Sequence, residues 1–281
     1  MIGQKQVLSQ IDNLIEKGFP RFVVITGQKG QGKTELAKYI GKKLDYPLIE
    51  FGIKIDEIRE MIEMSYKQTE PIIYLIQYAD KMSTGAKNSL LKVIEEPPNN
   101  AYFIMELQQI ENTLDTIKSR CQELKMESYT EVEIDFMINT IDEQITDIDR
   151  AIIKKLAQNK YQIALLLEYN PVEFYNYVDK VYNNIHKVQS ANSFKIAEKL
   201  DLKDTGEGYD LELFWRLYEE LCMDKLISLK EGYDFDNNYD YNIISNCISI
   251  TSVYLNKLNI NGINKQSLVD MWILDIRKEW R

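Results

Sequence analysis

The sequence holds a single histidine, His186, and three cysteines among 281 residues, and both scarcities narrow its chemistry. Histidine is the side chain whose ordinary pKa lies near neutrality. His186 sits in a helical stretch with no evident acid–base partner, so histidine-based catalysis is not expected. Cys121, Cys222 and Cys247 are 101 and 25 residues apart. That odd number at those spacings suits neither a disulfide framework nor a zinc cluster. No stretch approaches 18 consecutive apolar residues, and the start, Met1-Ile2-Gly3-Gln4-Lys5-Gln6, lacks the apolar core of a signal peptide. A soluble, cytoplasmic chain with no membrane partner is expected.

Positive charge is also in short supply. Thirty-four Lys and Arg face 44 Asp and Glu, a formal charge of −10. That excludes a protein that grips nucleic acid alone, because duplex affinity rests largely on cations neutralising phosphates. It leaves room for a subunit that meets DNA inside an assembly. The deficit is uneven: residues 1–125 hold 17 basic and 17 acidic residues, so the whole excess of acid lies in 126–281.

Turn-forming residues are missing from long tracts too. All six prolines lie at or before Pro171, and no glycine occurs between Gly85 and Gly206. The first 125 residues alternate short apolar runs with segments of helical period. The runs Phe22–Thr26, Pro47–Phe51, Ile72–Ile76 and Tyr102–Leu107 read as strands of a parallel sheet covered on both faces. Between them, Lys33–Leu44, Ile55–Met64 and about Thr84–Ile94 read as helices, the last capped by Ser83 and stopped by Pro97-Pro98. After Leu124 the strand signal fades. Glu131–Thr140, Asp147–Gln158, Gln162–Glu168 and Val172–His186 read as amphipathic helices, and Asn192–Leu200 begins another set. Polar breaks follow at Asp204–Gly208 and Glu231–Tyr241. Asn242–Arg281 is again helical, with a turn at Asn261-Gly262. Three parts are expected: an α/β nucleotide-type domain (1–125), a small helical domain (126–187) and a helical C-terminal domain (188–281).

Gly27-Gln28-Lys29-Gly30-Gln31-Gly32-Lys33-Thr34 fits the phosphate-loop pattern G-x-x-x-x-G-K-[S/T] and lies between a strand and a helix, as its mechanism requires. Gly27, Gly30 and Gly32 let backbone N–H groups turn toward phosphates at a helix N-terminus. Lys33 is expected to reach the β- and γ-phosphates of ATP or ADP, and the Thr34 hydroxyl to ligate the accompanying Mg²⁺.

Beyond the loop, Ala79-Asp80-Lys81-Met82 is followed by Ala86-Lys87-Asn88-Ser89-Leu90-Leu91-Lys92-Val93-Ile94-Glu95-Glu96-Pro97-Pro98. Further on come Asp115-Thr116-Ile117-Lys118-Ser119-Arg120-Cys121-Gln122 and, upstream, Ile53-Lys54-Ile55-Asp56-Glu57-Ile58-Arg59-Glu60. Together these stretches resemble the clamp-loader branch of the AAA+ ATPases, in pattern closest to its delta-prime type. The resemblance covers residues 1–125 and continues weakly to 264–277, which is similar to the last collar helix of that family. It implies an α/β AAA+ domain (a RecA-like parallel sheet of the P-loop NTPase kind), then a helical lid and an all-α C-terminal collar domain. It also implies Arg120 as an arginine finger acting in trans on a neighbour's ATP, where charge spreads over the γ-phosphate oxygens. The partners it implies are clamp-loader ATPase subunits, a delta-type subunit, a sliding clamp and primed DNA.

The departures carry equal weight. The first two acids of the family's D-E-A-D pattern, which hold Mg²⁺ and polarise the attacking water, fall at Gln77 and Tyr78. Asp80 matches the last Asp, which packs structurally. The sensor-1 position falls at Gln108 or Gln109, and the sensor-2 arginine is replaced by Ile163. The zinc-binding cysteine module of many relatives is missing, so no zinc is expected. Each lost electrostatic group costs about 3–4 kcal/mol of transition-state stabilisation, so the pocket should hold nucleotide and split it poorly. Two other classes stay open: an autonomous P-loop ATPase or small-molecule kinase, and a helicase-loader-like or architectural AAA+ adaptor. Lys87 and Lys92 are either DNA-facing cations or members of a solvated helix face. Tyr209, Tyr218, Tyr233, Tyr239, Tyr241, Tyr254, Trp215 and Trp272 serve either contacts with sister subunits or an ordinary core. Cys121 reads as a small packing residue.

Overall fold

The computed structural model describes residues 2–142, 144–185, 196, 198–203, 205–231, 241–258, 260 and 262–280. His186, Tyr233, Tyr239 and residues 192–195 and 197 of the stretch Asn192–Leu200 lie outside the described residues, as does most of the break at Glu231–Tyr241. The chain divides into two compact units: Met1–Glu133 with Asn159–Tyr161, and Ile134–Gln158 with Gln162–Arg281.

In the first unit, apolar runs become the strands of one sheet. β1 (Phe22–Thr26), β2 (Leu48–Phe51), β3 (Ile72–Ile76), β4 (Ala101–Leu107) and β5 (Gln122–Lys125) are all parallel, in the order β2-β3-β4-β1-β5. Every residue of β1 and β3 is buried. An all-parallel sheet needs both faces covered, and helices supply that cover. On one face α1 (Lys5–Lys17) and α2 (Lys33–Leu44) lay Val7, Ile11, Leu36, Ala37 and Ile40 over Val23, Ile25, Ile73, Leu75 and Ile104. On the other, α3 (Ile55–Ser65) and α4 (Thr84–Glu95) set Ile58, Met61, Ala86, Leu90 and Val93 against Val24, Tyr74, Ile76, Phe103 and Met105. Ser83 caps α4 as expected, its Oγ accepting the Ala86 N–H at 3.2 Å. A one-turn helix, α5 (Asp115–Lys118), precedes β5 and buries Ile117.

Four of the five strands coincide with expected runs to within a residue. The fifth, Gln122-Glu123-Leu124-Lys125, lies outside that expectation, as does α1. β5 buries only Leu124. It is an edge strand, so its composition is polar and carries no apolar run to detect.

The second unit is helical: most of α6 (Glu131–Ile141) and of α8 (Lys160–Tyr169), with α7 (Asp147–Leu156), α9 (Pro171–Asn184), α10 (Leu211–Glu231), α11 (Tyr241–Lys257) and α12 (Lys265–Glu279). Side-chain caps start several of these helices. Thr146 accepts from Asp149 N, Asn170 from Glu173 N with Pro171 at the first helical position, and Asn264 from Ser267 N. The core is aromatic. Trp215, Tyr218, Phe214 and Trp272 are fully buried, and Tyr218 meets Trp272 edge-on at 4.9 Å between ring centroids. Tyr254 is buried as well, so these aromatics pack inside their own unit and do not form a surface for sister subunits. Of the remaining tyrosines singled out, Tyr209 packs on Tyr169, Phe174 and Tyr177, while Tyr241 is exposed. Cys222 and Cys247 are buried thiols whose pKa values burial raises, Cys247 to about 11. Among the described residues no helix is long and apolar enough to cross a membrane.

The buried indole of Trp272 donates from Nε1 to Thr251 Oγ1 at 3.0 Å, and Thr251 in turn donates to the Cys247 carbonyl. Thr251→Val keeps the shape and leaves the indole N–H unpaired, so the second unit should lose about 1–3 kcal/mol. All three tryptophans lie in that unit, so urea unfolding followed by tryptophan fluorescence reads it directly. An unchanged midpoint would mean that the N–H has found another acceptor.

Candidate functional site

The phosphate loop joins the C-terminal end of β1 to the first turn of α2. Gly30 and Gly32 take φ values of +85° and +90°, open to glycine and strained for other residues. A Cβ on Gly30 would also run into Tyr161 and the Asn159 side chain. Tyr161 sits over the loop, with its hydroxyl 2.8 Å from Lys29 Nζ. The loop closes on its own polar groups. Gln31, itself buried, accepts the Gln28 N–H on its side-chain oxygen at 2.6 Å, and its carbonyl accepts from the Tyr129 hydroxyl. Lys33 Nζ donates to the carbonyls of Gly27 at 2.6 Å and Gln28 at 2.9 Å. Burial lowers the Lys33 pKa, opposed by the negative charges of Glu106 and Asp80. Thr34 follows in the same turn, so the structure brings together all five residues expected to hold nucleotide.

At the end of β3, Gln77 donates from its amide to Glu50 Oε2 at 3.0 Å. Tyr78 has φ +55° and is 62 % exposed. Neither supplies a carboxylate. Asp80 is structural, as expected: its carboxylate accepts the Gln108 N–H at 2.9 Å and the Asn112 side-chain amide at 2.8 Å, tying the end of β3 to the loop after β4. Gln108 and Gln109 are both exposed, and Ile163 is fully buried.

Lys87 and Lys92 part company. Lys87 is 9 % exposed and donates from Nζ to the Asn112 carbonyl, so it is neither a DNA-facing cation nor part of a solvated face. The helical period turns it toward the segment after β4, and desolvation lowers its pKa. Lys92, five residues on, is exposed. Arg120 stands just past α5, with its side chain 42 % exposed. It pairs with Glu95 at 3.3 Å and donates to the Thr116 carbonyl at 3.1 Å. A half-exposed ion pair of this kind is weak and easily exchanged. Cys121 packs against the sheet core, and burial raises its thiol pKa, so it is held protonated.

One residue of this site escapes sequence reasoning. Glu106, near the end of β4, is 5 % exposed, and its Oε1 has no hydrogen-bond partner. Desolvation raises its pKa, Glu35 and Glu50 add to the rise, and the adjacent Thr34 hydroxyl and Lys33 ammonium oppose it. Its only sequence signal is an acid inside the apolar run Tyr102-Phe103-Ile104-Met105-Glu106-Leu107. Buried charge in a strand marks a functional candidate.

The family described as DNA polymerase III, delta subunit, matches residues 42–130. Among curated proteins, DNA polymerase III subunit gamma of Buchnera aphidicola subsp. Schizaphis graminum is 30 % identical over 166 residues, 48 % of this chain and 46 % of that protein. DNA polymerase III subunit delta' of Bacillus subtilis is 29 % identical over 153 residues, 43 % of this chain and 46 % of that protein. The chain thus spans about half the length of these relatives. A gamma subunit-related protein of DNA polymerase III from Thermotoga maritima has a similar structure, with a TM-score of 0.53 and 16 % identity over 98 % of this chain and 99 % of that one. A single-residue variant of RuvB from Thermotoga maritima gives a TM-score of 0.51 at 17 % identity, over 97 % of this chain and 87 % of that one. These likenesses show the fold, that of the AAA+ proteins. The sequence matches bear out the clamp-loader resemblance, and they include gamma and delta' subunits alike.

Glu106 has a pH signature. A carboxyl whose folded pKa exceeds its unfolded one favours folding at low pH and loses that contribution as pH rises through the folded value. Relative to Glu106→Gln, the wild type should match in acid and become progressively less stable as pH is raised above the ordinary glutamate range, about 4 to 5. Amide hydrogen exchange of α2 and β4 in both proteins across that range measures it. A difference independent of pH would refute a raised pKa.

Proposed function

We propose that this chain is a clamp-loader subunit of the delta-prime type, which binds ATP or ADP and hydrolyses it poorly. In this reading Gly27, Gly30 and Gly32 orient backbone N–H groups toward the phosphates. Lys33 leaves the carbonyls of Gly27 and Gln28 to neutralise the β- and γ-phosphates. Mg²⁺ bound with the nucleotide through Thr34 would supply charge neutralisation between the phosphates. The observation that carries the reading is the pairing of a complete phosphate loop with a β3 end that offers Gln77 and Tyr78 where two carboxylates are needed. With no acid at Tyr78, no side chain there can draw a proton from attacking water.

Arg120 is proposed as the finger presented to an adjacent ATPase subunit. What supports this is its half-exposed guanidinium, which pairs with Glu95 and donates to the Thr116 carbonyl and the Ser119 hydroxyl. The work of such a subunit is to help a ring containing ATPase subunits and a delta-type subunit open a sliding clamp and place it on primed DNA. The three-part division is part of the proposal: AAA+ domain at 1–125, lid at 126–187, collar at 188–281. Of the two lysines, Lys92 remains available to DNA. A cytoplasmic setting is proposed on the same grounds.

Two measurements test the reading. Lys33→Ala should weaken ADP and ATP binding to the full chain at least tenfold by calorimetry, since a cation on the phosphates is lost. Equal affinity would empty the pocket of its role. In a complex reconstituted with clamp-loader ATPase subunits, Arg120→Ala should abolish turnover at the one site it serves, since fingers contribute roughly 10³–10⁵ in rate. Unchanged DNA-stimulated ATPase would reject the finger.

A further inference from the structure

Strand register locates Glu106 with respect to the acid missing from β3. Ile76 pairs with Met105 across β3 and β4, so Gln77, the next residue, stands level with Glu106. On its other side Glu106 pairs with Ile25 of β1, whose chain continues into the phosphate loop. Side chains alternate along strands. Ile73 and Leu75 on β3 and Ile104 on β4 face the α2 side of the sheet, so Gln77 and Glu106 face that side too. Glu106 therefore lies at the level of the lost carboxylate and one strand nearer to Lys33 and Thr34.

Its surroundings account for its burial only in part: the Thr34 hydroxyl and the Lys33 charge favour the carboxylate. One carboxylate oxygen lacks a partner, and the ammonium of Lys33 is engaged by the carbonyls of Gly27 and Gln28. Leaving a charged oxygen buried and unpaired is costly unless something else satisfies it. A hydrophobic residue here would pack against Ile104 and the strand neighbours without that penalty. The position instead carries an acid beside Thr34.

We propose that Glu106 is a transposed metal carboxylate: with Thr34 it holds the Mg²⁺ of bound nucleotide, from β4 in place of β3. This rests on the nucleotide-binding reading above and deepens it. Among the described residues, no group of three or more His, Cys, Asp or Glu side chains could hold a metal ion by itself. Mg²⁺ keeps several waters and takes one or two protein ligands besides phosphate oxygens. Glu106 does not replace the second acid. It is level with Gln77 and not with Tyr78, so it can hold a cation without polarising water. Metal-dependent binding and poor hydrolysis then belong to one site.

The test uses the full chain with ADP in excess Mg²⁺ and in EDTA, comparing wild type, Glu106→Gln, Glu106→Ala and Lys33→Ala. Mg²⁺ should tighten ADP binding to the wild type about tenfold or more, the scale on which changes around a metal site act. Glu106→Gln and Glu106→Ala should bind ADP in EDTA as the wild type does, yet lose that enhancement. Electron paramagnetic resonance with Mn²⁺ in place of Mg²⁺ should show metal bound with ADP in the wild type and lost from both variants. Thermal unfolding should show both variants at least as stable as wild type without nucleotide, and either folded variant suffices for the comparison. Full retention of the Mg²⁺ enhancement in a folded variant overturns the proposal, as does tighter ADP binding in EDTA, which would make Glu106 an internal counter-ion to Lys33. If the wild type and Lys33→Ala both fail to bind ADP, the nucleotide-binding reading itself falls and takes this one with it.

Discussion

Charge buried at the C-terminal edge of a parallel sheet governs the candidate site. Parallel strands bring all their C-terminal ends to one edge. Here β1 delivers the phosphate loop, β3 delivers Gln77 and Tyr78, and β4 delivers Glu106. Both faces of the sheet are sealed by helices, so an ionised group near that edge has little water to solvate it. Lys33 and Glu106 both respond, the ammonium pKa driven down and the carboxyl pKa driven up by burial. The loop meets the same demand by turning Gln31 and Lys33 onto its own N–H and carbonyl groups. A site that satisfies itself this way exchanges internal partners for those of a ligand, and the net affinity is the difference between the two sets.

Acids near the site divide into two kinds by their partners. Asp80 is saturated by Gln108 and Asn112 and joins two loops, so its role is architectural. Glu50 receives the Gln77 amide and Lys38 at the outer strand β2. Glu106 alone of these three keeps an oxygen without a partner, and it is the most deeply buried. Arg120 is the opposite case: half-exposed, weakly paired, and able to exchange Glu95 for a stronger anion.

Periodicity made most of the fold legible. The apolar runs of β1, β3 and β4 had to lie in a covered sheet, and Ser83 and Pro97-Pro98 bounded α4 from both ends. What escaped was polar or amphipathic in the wrong place. β5 is an edge strand whose single inward residue, Leu124, gives no run, and it forms because β1 offers it an unpaired edge. By spacing, Lys87 is one of two cations on a helix face. Ala86, Leu90, Val93 and Ile94 set the buried stripe, however, and Lys87 falls beside it with its head on the Asn112 carbonyl. The aromatic residues of the last third could have faced outward or inward by composition alone. Packing of α10 against α11 and α12 sent Trp215, Tyr218, Tyr254 and Trp272 inward.

The phosphate loop, its strand–loop–helix setting, the missing acids at Gln77 and Tyr78, and the clamp-loader resemblance of the first 125 residues were all legible in the chain unfolded. Each is a local pattern, readable within a few turns or strands of chain. That Glu106 stands level with Gln77 and beside Thr34 emerges only once the sheet is assembled. The adjacency depends on the pairing of β4 with both β3 and β1. Side chains alternate between faces along a strand, so a slip of one residue would have turned Glu106 to the α3 and α4 face, away from the phosphate loop.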